Sequence, residues 1–299
     1  MIPLRERKNR HRTNRLLLSL LFPVFLDTVL GAQPAVTEWR QIQISSAAEF
    51  TATRIAVSRF GDVYLLDADR SLLARLSHDG RHIRTVGGWG ESGELFTAGA
   101  DLTASHGLDI LLLDSDTHRL IRFDRQLNFL NEIDLHNSEY GSEFPDAVAR
   151  NRAGEVVVAS DSDDRVTLIN LGGDVLSVMG DDKYGEDRFG HVTAVAVNDR
   201  NEIGVIDEGR LLVVMNRSGR LLWRRQLETQ SSFIEGVGES WLIGSSSGGF
   251  TLVDRDSQTA VAEVQPLPIT VADMAVDGER VFILGEGGVI FTASLTFDE

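Results

Sequence analysis

The chain has 299 residues, 42% of them hydrophobic and 25% charged, and a net charge of −16. That composition fits a large globular domain rather than a disordered chain, and its acidity argues against nucleic acid as a partner. Cysteine is absent, which excludes a disulfide framework, a thiol nucleophile and a Cys-ligated zinc.

Six basic side chains open the sequence: Arg5, Arg7, Lys8, Arg10, Arg12 and Arg15. An apolar run over 16–26 follows, then Asp27 and the small residues Gly31, Ala32 and Ala35. A basic segment, a short apolar segment and a small-residue exit predict a secretory signal over 1–32 and a domain over 33–299. The expected location is the periplasm or the medium. The apolar run is short for a bilayer span, so no membrane-spanning segment is expected once the signal is cleaved; an uncleaved anchor is the other reading. Past residue 32 the only lysine is Lys183, which speaks against a lysine base or Schiff-base mechanism.

The rest of the chain repeats itself. An aspartate ends an apolar run at Asp67, Asp114, Asp161 and Asp207, at spacings of 47, 47 and 46. Phe50, Phe96, Phe144, Phe189 and Phe233 form a second ladder, at 46, 48, 45 and 44. Each period holds four strand-length runs punctuated by Gly, Asp and Asn, as in 54–58, 62–66, 72–76 and 83–86. Repeats of this length with four short strands predict propeller blades. Units starting at Arg54, Asp101, Asp146, Thr193, Glu235 and Asp273 make six, the last lacking a strand. The spare segment 39–44 supplies it. The predicted fold is therefore all-β: a six-bladed β-propeller of four-stranded antiparallel blades, closed by an N-terminal strand.

The segments GDVYLLDADRSLLARLSHDG (61–80) and LDILLLDSDTHRLIRFDRQL (108–127) resemble the NHL-repeat family of six-bladed propellers. So do the inter-blade segments GGWGESGELF (87–96), YGSEFP (140–145) and YGEDRFG (184–190). The resemblance spans about residues 40–295 and implies the fold. It implies little about activity, because such propellers serve both as partner-binding scaffolds and as hosts of enzyme sites.

Loops between the second and third strands of a blade share one face with the inter-blade loops. On this upper face the loop segments hold 24 Asp and Glu against 7 Lys and Arg, while those of the opposite face hold 13 acids and 10 arginines. Asp-rich turns are good turn chemistry, and surplus acid favours solubility. The functional reading is a docking face for a protein, peptide or glycan ligand, carried by a monomer. Candidate contact residues are Arg54 at the axis, His191, the aspartates Asp161 and Asp163, and the inter-blade aromatics Trp89, Tyr140 and Tyr184. The aromatics either plug gaps between blades or form a rim that grips the ligand. The run Asp161-Ser162-Asp163-Asp164 lacks the central Gly and distal Glu of an EF-hand loop. The first residues of the innermost strands are expected at the mouth of the central channel. There Asp101, Asp146, Glu235 and Asp273 form a candidate oxygen-ligand site for Ca²⁺. The alternative function is a metal-dependent hydrolase or lyase built on that axial cation. No nucleophile, histidine cluster or phosphate loop is evident, so no catalytic residue is assigned.

Overall fold

The computed structural model describes residues 35–36, 38–44, 50–136, 144–180, 188–264 and 266–296; the expected signal, Tyr140 and Tyr184 lie outside them. The described residues form 25 strands and no helix. The strands make six antiparallel sheets, five laid down in chain order and the sixth completed by strands from the N-terminal side. Blade one comprises Arg54–Val57, Val63–Asp67, Leu72–Leu76 and His82–Gly87. The innermost strands of the next five are Gly99–Thr103, Ala147–Arg150, Val192–Val197, Phe233–Val237 and Val271–Asp277.

The second strands read as unbroken apolar runs because both of their faces are covered. Every residue of Val63–Asp67, Val156–Ser160 and Ile203–Asp207 is buried. The core lies between blades. Ala56, Tyr64 and Leu66 of blade one, for example, pack on Leu102, Ile110 and Leu112 of blade two. Hairpins between third and fourth strands turn on an Asx residue whose side-chain oxygen captures two N–H groups. Asp124 takes those of Gln126 and Asn128, both at 2.8 Å, and Asn216 those of Ser218 and Arg220, both at 3.0 Å.

The ring closes at blade six. Its last strand from the C-terminal side, Val289–Thr296, pairs along its outer edge with Arg40–Ile42 and, further along, with Ala35–Val36. The segment expected to close the ring does so, and it occupies the edge that an open sheet would leave for aggregation.

The two sequence ladders have distinct physical roles. Asp67, Asp114 and Asp207 sit at equivalent ends of second strands and hold the chain that enters their blade. Asp67 accepts from Thr51 N (2.8 Å), Asp114 from Ala98 N (3.0 Å), and Asp207 from Gly190 N (2.8 Å) and His191 N (2.9 Å). Burial alone would raise the Asp114 carboxyl; hydrogen bonds from Thr117, Ala98 and Thr97 instead hold it below its usual range. In blade three the register differs from the sequence reading. Ser160, paired with Arg165 as Asp114 is with Arg119, takes the ladder position, and Asp161 falls one residue beyond it.

Two rungs of the phenylalanine ladder, Phe96 and Phe189, pack where a glycine receives them. A Cβ on Gly87 would meet the Phe96 ring at 2.8 Å, and one on Gly180 would meet Phe189 at 2.5 Å. Both glycines also have positive φ, at 102° and 84°. Blade two has Asp134 at the equivalent position. No seat forms there, and Phe144 is 51% exposed, lying tilted against the His118 ring.

Acid–arginine pairs tie neighbouring blades on the lower face. Asp62 of blade one holds Arg125 from a hairpin of blade two. Glu155 holds Arg217 through Nε at 2.8 Å, and Glu202 holds Arg255 at 2.7 Å, each across one blade boundary. These carboxylates are buried, so each pair depends on its additional bonds, such as Asn198 Nδ2 to Glu202 at 3.0 Å.

Candidate functional site

The six innermost strands surround an axial cavity of about 130 Å³, room for a few waters. Arg54, Asp101, Asp146, Thr193, Glu235 and Asp273 all line it, so the six residues expected at the channel do face it. They do not form one cluster.

Asp101 and Asp273 point into the channel and also reach across a blade boundary. Asp101 Oδ2 accepts from Val148 N of blade three at 2.8 Å, and Asp273 Oδ2 accepts from Ile55 N of blade one at 2.8 Å. Each joins the innermost strands of two blades, which a glycine at these positions could not do. Both follow a register shift that inserts one extra residue into the strand, Ala100 and Ala272 respectively. Burial pushes the Asp101 carboxyl up to about 6, against the attraction of Arg54 and the N–H groups of Val148 and Leu102. Burial likewise pushes Asp273 up to about 7; Arg54 opposes this, and the charge of Asp101 adds to it.

At Glu235, burial first, then the charges of Asp273 and Asp101, raises the carboxyl well above the ordinary glutamate range. Its pairing partner is Leu242, whereas Asp101 and Asp273 pair with residues one short of the strand end, Leu113 and Leu284. Glu235 thus sits farther down its strand than the aspartates do. The neighbouring Gly236 allows the inner strands of blades four and five to touch: a Cβ there would meet Val197 O at 2.3 Å.

Arg54 is the cation of this group. Its Nε is 4.0 Å from Asp101 Oδ1, its Nη1 donates to the carbonyl of Thr53 at 3.0 Å, and its side chain is 40% exposed.

Asp146 lines the cavity at its rim, apart from Asp101 and Asp273. The residue of blade three that matches Asp101 in register is Ala147, paired with Ala159. Asp146 stands one residue earlier, exposed at the mouth, where its Oδ2 accepts from Asp161 N at 3.0 Å. Asp161 in turn pairs with Nδ1 of His191 from the segment entering blade four. The structure therefore brings Asp146, Asp161 and His191 together on the rim. Partial burial raises Asp146, as does the charge of Asp161. Asp163 sits in the same turn, partly exposed.

Trp89 is 75% exposed and plugs no gap between blades. Exposed acids ring the upper face: Asp69, Glu91, Glu94, Asp116, Glu208, Glu228 and Glu286. On the lower face the hairpins of blades three to five are laced together. Arg152 pairs with Asp199 at 2.5 Å, Asp199 N donates to Gly238 O at 2.8 Å, and Arg200 pairs with Glu239 at 3.1 Å. Among the described residues no group of three or more His, Cys, Asp or Glu has the geometry to hold a metal ion as it stands.

No protein-family model matches the chain, and no curated protein matches it in sequence. Solved structures match it in fold. A streptogramin B lyase superposes with a TM-score of 0.59 at 11% identity, over 87% of this chain and 98% of that one. A catalytically inactive His-to-Ala variant of virginiamycin B lyase from Staphylococcus aureus, with quinupristin, superposes with a TM-score of 0.61 at 14% identity, over 90% of this chain and 97% of that one. At these identities the likeness is one of architecture. It agrees with the propeller expected from the repeats and does not assign the chain to the NHL family.

Proposed function

We propose that the protein is an exported, non-catalytic binding propeller that engages a cationic protein, peptide or glycan through its upper face. The observation that carries this reading is the division of the carboxylates. Asp101 and Asp273 are engaged in joining blades, while Asp69, Glu91, Glu94, Asp116, Glu208, Glu228 and Glu286 stand exposed around the cavity's face beside Trp89. Charge of one sign on one face steers and holds a partner of the other sign. Binding of basic peptides, measured by calorimetry at about 50 and about 300 mM salt, tests it. Affinity should fall steeply as salt rises. Salt-independent binding, or none, would refute the reading.

A second reading rests on the rim. His191 has its Nδ1 on the Asp161 carboxylate and its ring more than half exposed, which leaves Nε2 turned to solvent as an oriented base. The structural neighbours include lyases, and one of them is inactive as a His-to-Ala variant. A hydrolase or lyase of this kind would use Asp101, Glu235 and Asp273, with Asp146 at the rim, to hold a hard cation such as Ca²⁺. Their oxygen donors suit such an ion, and the unspent carboxylate of Glu235 is the one most available to it. Incubation with quinupristin, with His191→Ala as the control, addresses this reading; no turnover in the presence of Ca²⁺ or Mg²⁺ would eliminate a lyase acting on that compound.

A further inference from the structure

We infer that the axial cavity is the specific anchor of the upper face, taking a single guanidinium from a peptide partner onto Glu235, and that Arg54 occupies the mouth as a displaceable internal substitute. This inference rests on the binding reading above and names the group recognised.

Three observations meet here. The first is the state of Glu235. Among the described residues nothing donates a hydrogen bond to its carboxyl, which lines the channel half-buried. Its neighbours Asp101 and Asp273 each hold an N–H of the next blade at 2.8 Å. The Glu235 carboxyl is partly accessible from the cavity and carries no donor from the fold, so a donor group supplied by a ligand can reach it and pair with it. The second is the cavity itself, about 130 Å³, which leads from the acidic face down to Glu235 and is lined beside it by small residues and hydroxyls such as Ala194, Thr193 and Ser232. It admits one flat cationic head group, not a folded domain.

The third is Arg54. The chain has already placed a guanidinium in this funnel, but holds it weakly. Its contact with Asp101, at 4.0 Å, is at the outer limit of an ion pair, its side chain donates to the adjacent carbonyl of Thr53, and much of it is in solvent. An arginine has five donors, so an incoming guanidinium that reaches Glu235 makes more bonds than Arg54 makes at the mouth. Arg54 then swings outward, where exposed acids of the upper face receive it.

The roles of the two residues predict opposite signs. Arg54 competes with the ligand, so Arg54→Gln should tighten binding of an arginine-containing peptide by about three- to tenfold, because the competent state is no longer partly blocked. Glu235→Gln should weaken the same binding by about tenfold, the scale of one charge-assisted contact. The experiment is calorimetric titration of the full protein with a short neutral peptide carrying one arginine, in chelator-treated buffer, on wild type and both variants. Tightening by Arg54→Gln cannot arise from a damaged fold, so it carries the test even where Glu235→Gln unfolds. If the peptide binds and both variants leave its affinity unchanged, the cavity is not the anchor, while the acidic-face reading survives. If Arg54→Gln weakens binding, Arg54 is itself a contact and the inference is wrong. If no basic peptide of any length binds at low salt, both readings fall together.

Discussion

Asp273→Asn should stabilise the propeller at pH 8 and change little at pH 5. Asp273 accepts from Ile55 N at 2.8 Å, and an asparagine keeps an oxygen for that bond. What the substitution removes is a charge that burial opposes. The carboxyl is pushed from 3.8 up to about 7. A folded-state value above the unfolded one means that the native protein holds more protons between these limits. Stability is therefore greatest at the acid end of the window and declines as pH rises from about 4 through about 7. A displacement of that size corresponds to about 4 kcal/mol lost by pH 8. Asparagine does not titrate and escapes the loss, but it is a weaker acceptor by about 1 kcal/mol, and relieving Asp101 and Glu235 of a neighbouring charge acts in its favour. A net gain of about 3 kcal/mol at pH 8 raises the melting temperature by about 6–12 °C for a domain of this size. Urea melts of both proteins at pH 5, 6, 7 and 8, in chelator, read this directly. A variant less stable than wild type at pH 8, or one with the same pH dependence, would show that the channel carboxyls are ionised without penalty and that the electrostatic reading is wrong.

Four other outcomes follow from named contacts. Calcium at millimolar concentration should raise the wild-type midpoint at pH 8 if a cation joins Asp101, Glu235 and Asp273, and calorimetry with no heat on either wild type or Asp273→Asn would discard the metal. Arg255→Ala leaves the buried Glu202 carboxylate with Asn198 alone and should destabilise the domain by about 2–4 kcal/mol in denaturant melts. Gly180→Ala puts a methyl group 2.5 Å from the Phe189 ring at a φ of 84° and should cost about 2–3 kcal/mol, read as a fall in the melting temperature. Deleting residues 35–44 exposes the outer edge of Val289–Thr296 and should lower the midpoint of the whole domain in a single transition; an unchanged midpoint would mean that ring closure contributes nothing.

The architecture was legible because a propeller writes its period into the chain. Second strands buried on both faces are unbroken apolar runs, and each must end where the chain turns, so Asp67, Asp114 and Asp207 repeat with the blade. A third ladder was equally present and went unread. Asp62, Asp109, Glu155 and Glu202 recur at 47, 46 and 47, each opening a second strand. Periodicity showed where the acids fall but not which arginines meet them, because the partners Arg125, Arg217 and Arg255 belong to the following blade. Phe144 shows the opposite limit. It keeps the phenylalanine spacing yet is exposed, and blade two has Asp134 on the other strand where blades one and three have the glycines that receive Phe96 and Phe189.

The channel mouth was legible in membership and not in grouping. Counting along equivalent strands places Arg54, Asp101, Glu235 and Asp273 on the axis, and all four are there. Asp146 lines the mouth as well but stands apart from the other carboxylates, for a backbone reason. Blades two and six insert an extra residue at Ala100 and Ala272, which turns the next carboxylate inward and across to the neighbouring blade. Blade three pairs Ala147 with Ala159 without such an insertion, so its aspartate stays on the rim with Asp161 and His191. A one-residue bulge leaves no mark on composition or spacing, but it separates a carboxylate that joins two blades from one that faces solvent. The same distinction sets the chemistry open to each group. Asp101 and Asp273 are bound by the fold, the rim triad is free to meet a ligand at the surface, and Glu235, set deeper on its strand, is the axial acid to which the fold gives no hydrogen-bond donor among the described residues.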